Sequence, residues 1–268
     1  MEKKTLFFIL LIICILGIFF YKFYDKPEAK NSEKKFSGKM AEILKRGEIV
    51  IGFDATYAPL EFKDENGNLI GMDVDVAKEI AADIGVKPIF KDMPFSDIFQ
   101  SIQKGDIDIS LSSITITAER TKFLDFSDPY FNAGQVIVTL KDIKTPVNKP
   151  EDLKGLRIGA QENTTSDIQA KKYAAKPSDI FNFAEYSSAK QDLLDGKIDP
   201  IIVDYPAGFS MVAKDDKLVI RGDIFTQEFY GVAMQKNQPD LVLEINKTIR
   251  RLKQEGVLKN LENKWLAQ

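Results

Sequence analysis

The 268-residue chain has no histidine and a single cysteine, Cys14. Without imidazole there is no His-centred triad, no His general base and little prospect of a zinc site. Cys14 lies in an apolar run near the N-terminus, so the rest of the chain has no thiol for a disulfide, a nucleophile or a metal. A basic stripe is missing as well. The chain carries 37 Lys and Arg against 40 Asp and Glu. Setting aside the seven basic and four acidic residues of the first 38 leaves 30 against 36, a net charge of −6 for the remainder. An acidic body of this kind argues against nucleic acid as a partner.

Long apolar runs are also scarce. One stands out, at 6–21, with Lys3 and Lys4 before it and Lys22 after it. It is longer than most signal-peptide cores and slightly short for a membrane span. Phe19 to Tyr24 offers no small residue for cleavage, and Ile12 and Ile13 before Cys14 do not suit a lipoprotein signal. Residues 1–24 therefore read as a membrane anchor or signal segment, with an uncleaved anchor preferred. The N-terminal lysines would stay inside and the body outside. Residues 25–39 are polar, charged and without an apolar face, and read as a flexible linker.

What is present begins at about residue 40. The pattern predicts a short helix over 40–45, a strand over 49–53, a hairpin turn at Asn66-Gly67, a helix over 71–84, a strand over 87–91 and a helix over 95–104. Ile107, Ile109 and Leu111 then alternate as a strand. Strand and helix in alternation predict a parallel α/β half. After an extended stretch over 132–140 the pattern starts again. Leu153-Lys-Gly-Leu-Arg-Ile158-Gly resembles Leu44-Lys-Arg-Gly-Glu-Ile-Val-Ile51-Gly, and Gly196-Lys-Ile198-Asp199 resembles Gly105-Asp-Ile107-Asp108. The body is thus expected to hold two lobes: lobe one from 40–134 and 229–268, and lobe two from 135–228. Extended segments near 132–138 and 226–234 carry the chain across twice, as a hinge does.

The richest stretch is 105–131. It places Ser112, Ser113, Thr115 and Thr117 after a strand, with Arg120 one helical turn on. Thr117 suits the cap of a short helix. Hydroxyls beside a guanidinium suit a small carboxylate, since Arg offers it two parallel donors. Ligands of open α/β sheets lie beyond the carboxyl ends of the strands. Lobe one then offers Asp54, Tyr57, Phe95, Ser113, Thr115 and Arg120, and lobe two offers Gln161, Thr165 and Asp204. Asp204 suits an ammonium, and Tyr57 and Phe95 suit a sandwich around the remainder. An α-amino acid fits that set. Asp54 has no basic neighbour in its loop before Lys63, so a donor of the ligand side chain is expected to meet it. Gln161 adds a second polar contact, and the set favours arginine, lysine or glutamine over leucine or glutamate.

Several motifs occur in one order: Asp54-x-x-Tyr57-x-Pro59, Gly71-Met-Asp73-Val-Asp75-Val-x-x-x-Ile80, Ser113-x-Thr115-Ile-Thr117-x-x-Arg120, Asp125-Phe-Ser-x-Pro129-Tyr130 and Lys264-Trp265. On these the body, from about Met40 to Gln268, resembles the extracellular solute-binding proteins of amino-acid ABC transporters. Met72 stands where Phe, Tyr, Ile or Leu is usual, and Leu60 replaces the usual Phe after Pro59. The resemblance implies an α/β, two-lobed, type-II periplasmic-binding-protein-like fold with two hinge strands. It implies that Arg120 and Thr165 take the α-carboxylate and Asp204 the α-amino group, and that Phe95 belongs to an aromatic clamp. It also implies a monomeric receptor in the periplasm or at the cell surface, tethered by its N-terminus, without cofactor or metal, delivering an amino acid to an ABC permease. Gln161 and Ser166 are positions that vary with ligand. Two other classes share the scaffold. One is a cyclohexadienyl-dehydratase-like enzyme, with Glu61 or Glu162 as general acid. The other is a ligand-sensing domain of a membrane signalling system, for which no kinase or cyclase pattern is found. The amino-acid clamp favours a binding protein, not an enzyme.

Overall fold

Glycines and strand formers partition the chain much as the pattern predicts. The computed structural model describes residues 35–266; the apolar run and most of the linker lie outside them. Among the described residues no helix is long and apolar enough to cross a membrane. Helix α1 (Gly38–Arg46) ends on Gly47, whose φ of 73° supplies the left-handed cap that a β-carbon would strain. Strand β1 (Glu48–Phe53) follows, then a three-stranded flap of β2 (Thr56–Tyr57), β3 (Glu61–Lys63) and β4 (Leu69–Ile70). Next come α2 (Met72–Ile84), β5 (Lys87–Asp92), α3 (Phe95–Lys104) and β6 (Ile109–Ser110). A 3-10 turn at Arg120–Lys122 leads to β7 (Leu124–Phe126), β8 (Phe131–Asn132) and β9 (Gln135–Leu140).

The second run is β10 (Ile158–Gln161), α4 (Thr165–Tyr173), β11 (Ile180–Phe183), α5 (Tyr186–Leu194), β12 (Pro200–Asp204), α6 (Tyr205–Ala213) and β13 (Leu218–Arg221). The chain returns through β14 (Phe229–Tyr230) and β15 (Ala233–Gln235), and closes with α7 (Pro239–Gln254) and α8 (Val257–Leu266).

Two five-stranded sheets result, ordered β5-β1-β6-β15-β7 and β11-β10-β12-β9-β13. In each, three strands are parallel: β1 with β5 and β6, and β10 with β11 and β12. Each sheet then accepts an antiparallel strand next to the parallel set, β15 beside β6 and β9 beside β12. The fully parallel half expected from the pattern is corrected on this point. Strand direction depends on where the chain arrives from, and both antiparallel strands arrive from the other half. Helix α6 and strand β13 escaped the pattern as well. Pro206 sits in the first turn of α6, where a missing amide costs nothing. The chain crosses between the sheets through β8 and through β14, which pair antiparallel with Phe229 opposite Asn132 and Tyr230 opposite Phe131.

Each sheet has its own apolar core. In the first, Ile98, Ile102, Ile107, Ile114 and Leu124 are buried together; in the second, Ile137, Leu153, Ile158, Ala160 and Ile202. These cores hold the strand ends in place, and the strand ends carry the polar residues described below. The flap is fixed to α2 at Gly71, where the amide of Asp73 donates to Leu60 O. Gly71 has φ 134°, and a β-carbon there would lie 2.1 Å from Leu60 O. Gly71→Ala is therefore expected to destabilise the fold by about 3 kcal/mol or more. Gly67 also has positive φ but has nothing within 4 Å of an added β-carbon, so Gly67→Ala should cost only about 1 kcal/mol. Urea denaturation midpoints of the two variants test the contrast; equal losses would refute it.

Candidate functional site

The three carboxyl-terminal strand ends that matter belong to β1, β10 and β12. Asp54 follows the first, Gln161 ends the second and Asp204 ends the third. They meet, with the other six binding candidates, around one cavity between the sheets. Asp54, Tyr57, Phe95, Ser113, Thr115 and Arg120 line it from the first half, and Gln161, Thr165 and Asp204 from the second. Glu61, Ser112, Thr164, Ser166 and Tyr186 complete the wall.

One wall residue, Ser113 (φ 51°), and Asn163 (φ 61°), next to the wall residue Thr164, have left-handed backbones without being glycine. Such backbone is costly and gathers at functional sites. At Ser113 it turns the amide onto Asp73 Oδ2 at 2.8 Å and lets the hydroxyl reach Glu61. At Asn163 it leaves the carbonyl accepting from Arg120 Nη2 at 3.2 Å. Arg120 Nη1 donates to Thr115 O at 2.9 Å. The guanidinium lies over Phe99 at 4.9 Å and Phe95 at 5.6 Å. Among the described residues it forms no salt bridge. Burial lowers its pKa to about 10, against the upward pull of Asp204 and Glu228. It therefore stays charged at neutral pH, buried, with neutral acceptors only.

Across the cavity, α4 begins at its wall. Thr164 caps the helix by accepting from the Asp167 amide, and Thr165 and Ser166 occupy the first turn. Their side chains both accept from Gln135 Nε2, at 2.9 and 3.2 Å. Free amides at a helix start favour an anion, so this wall faces Arg120 with the same preference.

Asp204 is of the opposite kind. Its Oδ2 accepts from the Tyr230 hydroxyl, while Oδ1 is buried without a hydrogen-bond partner. Burial pushes its pKa up to about 7, helped by nearby Glu228 and opposed by the Tyr230 hydroxyl. An unsatisfied buried carboxylate is costly, and an ammonium would relieve it.

Asp54 differs from the sequence expectation. It is not left without partners: Thr56 Oγ1 donates to Oδ1 at 2.6 Å, and the Phe95 amide and Gln161 Nε2 donate to Oδ2 at 3.2 and 3.1 Å. Lys63 pairs with Asp92 instead, at 2.5 Å. The partners of Asp54 are neutral, however, so burial still raises its pKa. The aromatic sandwich is also drawn differently. Tyr57 meets Tyr186, with ring centroids 5.3 Å apart, whereas Phe95 packs under Arg120 and against Phe99. Tyr186 was missed because it stands alone in a polar stretch with no motif around it.

Glu61 is the other wall residue that matters and was not among the binding candidates. It is 1% exposed and accepts from the hydroxyls of Ser112 and Ser113, both at 3.1 Å. Behind it lies Asp73, fully buried and held by the Tyr130 hydroxyl at 2.7 Å. Desolvation raises the pKa of both carboxyls; the charge of Asp73 raises that of Glu61 further, while hydrogen bonds from the Ser113 amide, Tyr130 and Glu61 oppose the rise at Asp73. The signal for Glu61 was a charged residue next to Leu60 in the hairpin that turns at Asn66-Gly67, and only the fold shows that it points inward. Asp75, by contrast, pairs outward with Lys264 at 2.7 Å and Trp265 at 3.0 Å. That contact fastens α8 to α2 and lies away from the cavity. Glu162 does not line the cavity.

Contacts between the halves around the cavity include Gln161 to Asp54, Arg120 to Asn163, Tyr230 to Asp204, Tyr57 to Tyr186, and Lys214 over the Phe62 ring at 5.7 Å. The site thus combines one cation and several hydroxyls and amides with three acids, Asp54, Glu61 and Asp204.

Comparison with known proteins agrees with this geometry. Residues 49–268 match the family described as bacterial extracellular solute-binding proteins, family 3. The chain is 30% identical over 242 residues to the L-cystine-binding protein TcyJ of Escherichia coli (strain K12), covering 89% of this chain and 91% of that one. It is 32% identical over 246 residues to the ABC transporter glutamine-binding protein GlnH of Bacillus subtilis (strain 168), covering 90% and 88%. Among solved structures, a mutant of ArgBP from T. maritima superposes with a TM-score of 0.82 at 39% identity, covering 86% of this chain and all of that one. The truncated, arginine-bound form of ArgBP superposes with a TM-score of 0.76 at 40% identity, covering 79% and 99%.

Proposed function

This chain belongs to the bacterial extracellular solute-binding proteins of family 3, and we propose that it is a receptor for a cationic or polar amino acid, arginine foremost, which it hands to an ABC permease. Proteins of this family are extracytoplasmic, and its relatives bind amino acids for ABC transport. The fold is the type-II periplasmic-binding fold of its structural neighbours.

The reading of the ligand rests on one observation: three carboxyls, Asp54, Glu61 and Asp204, line the cavity opposite a single guanidinium. The α-carboxylate meets Arg120, with Ser113, Thr115 and Thr165 beside it. The α-ammonium meets Asp204 Oδ1. Asp54 and Glu61 then remain for the distal end of the ligand, and a cationic side chain compensates both. Gln161 supports that end from the other half. Tyr57 and Tyr186 cover the aliphatic stem, and the halves close as lobes about β8 and β14. In this scheme the protein is a monomer. Residues 1–24 hold it to the cytoplasmic membrane. One observation favours a dehydratase-like reading instead: burial, with the neighbouring Asp73, raises the Glu61 pKa well above the ordinary carboxyl value, which suits a general acid. The carboxylate and ammonium sites beside it favour binding.

Calorimetric titration with arginine, glutamine, glutamate and leucine tests the assignment. Arginine should bind tightest. Tightest binding of glutamate or leucine would overturn it, because either would leave Asp54 and Glu61 facing a like charge or an apolar chain.

A further inference from the structure

Tyr230 lies behind the wall of the cavity and is fully buried. Its backbone belongs to the first half. Tyr230 stands opposite Thr115 in an antiparallel bridge closed by the Ile116 amide on Phe229 O at 2.8 Å and the Gly231 amide on Ile114 O at 3.1 Å, its carbonyl accepts from the Tyr130 amide at 3.0 Å, and its strand β14 pairs with β8. Its ring stacks on Phe131, with centroids 5.6 Å apart. From this fixed position the hydroxyl reaches across to the second half and donates to Asp204 Oδ2. Asp204 Oδ1 is left buried and without a donor. One oxygen of the carboxylate is occupied from behind, and the other is free.

We propose that Tyr230 is a positioning residue for ligand binding: its hydroxyl engages Oδ2 of Asp204 and so presents Oδ1 to the ligand's amino group. The inference rests on the reading of Asp204 as the ammonium partner. A carboxylate with one oxygen bound by a fixed donor has lost its rotational freedom before the ligand arrives, so less ordering remains to be done on binding. The same bond favours the ionised form, which is the form an ammonium needs. The Tyr230 hydroxyl is the strongest of three side chains that favour the ionised Asp204, Gln135 and Tyr57 being the others. The groups facing Asp204 are Tyr57 on β2, Gln135 on β9, Tyr186 on α5, Glu228 before β14 and Arg120. Glu228 raises the Asp204 pKa, so the Tyr230 hydroxyl works against it.

Y230F removes one oxygen and keeps the ring stack. It is tested in the full chain, in detergent, with arginine as the probe. Two measurements are made. In the ligand-free protein, carbon-13 titration of the Asp204 carboxyl, identified by its absence in D204N, should show a midpoint about one pH unit higher in Y230F. Arginine affinity should fall roughly tenfold at pH 6.5, the most that a one-unit rise of the Asp204 midpoint allows. At pH 8.5, where Asp204 ionises in both proteins, most of that deficit should disappear. A loosened fold would weaken binding equally at both pH values and leave the Asp204 midpoint where it was; either result overturns the proposal. If the unaltered protein gives no heat with arginine, the ligand reading fails, while the carboxyl titration still decides whether Tyr230 governs Asp204.

Discussion

Replacing Arg120 by alanine is expected to weaken amino-acid binding by about a hundredfold or more. Arg120 is 8% exposed, and its two terminal nitrogens donate to the carbonyls of Thr115 and Asn163. Carbonyls satisfy donors but not a full charge. Phe95 and Phe99 add cation–π attraction, and the charge still lacks a carboxylate among the described residues. The ligand's α-carboxylate supplies it. A charge-assisted pair in a closed cleft is worth about 3 kcal/mol or more, which is the hundredfold named. R120K keeps the charge but loses the planar pair of donors, so it should recover only part of the loss. Calorimetry on both variants, with circular dichroism to confirm folding, checks the expectation. Unaltered affinity in R120A would remove the residue from the site.

The ligand-free protein is expected to be more stable at pH 5 than at pH 7.5. Asp204 has a pKa near 7 in the fold against an ordinary 3.8, because burial disfavours its charge. The folded state therefore holds this proton to higher pH than the unfolded chain does. Stability from the protonated form is fully present below about pH 3.8 and is lost as pH rises through about 7. For that pair of values, linkage amounts to roughly 2–3 kcal/mol between pH 5 and 7.5. For a body of this size that is roughly 5–10 °C in melting temperature. Glu61 and Asp73 shift upward too and act in the same direction. Asp75 and Asp199 are held below their ordinary value by Lys264 and Arg157, so their contribution is lost only in more acidic solution. Differential scanning calorimetry at the two pH values, with D204N beside the unaltered chain, provides the test. D204N should show a smaller difference. Stability that is flat or rises between pH 5 and 7.5 would contradict the buried, charge-starved site described here.

Much of this protein is legible in one dimension because its information is local. Gly47, Gly85 and Gly105 end helices with the left-handed backbone that glycine favours, and apolar spacing marks α2, α3 and α7. The recurrence of a Gly-Lys or Gly-Asp pair before Ile-Asp marks the doubling into two halves. The nine binding candidates could be named for the same reason. Each stands just past a strand or at a helix start, where the fold class itself directs polar groups into a cleft.

Tertiary structure decided the rest, and in each case the cause is a contact between residues far apart in sequence. Strand direction in the two sheets depends on which half a strand enters from, so β9 and β15 are antiparallel where local pattern implied a parallel set. Asp54 acquires Gln161, 107 residues away, and loses Lys63 to Asp92. Glu61 turns inward onto Ser112 and Ser113, some fifty residues downstream, and becomes part of the wall. Tyr230 reaches Asp204 only because β14 is clamped to the first half while β12 belongs to the second. Periodicity and motif spacing encode which way a side chain faces its own element. Which distant carboxyl or hydroxyl it then meets, and hence what charge it must carry, follows from how the two halves are brought together.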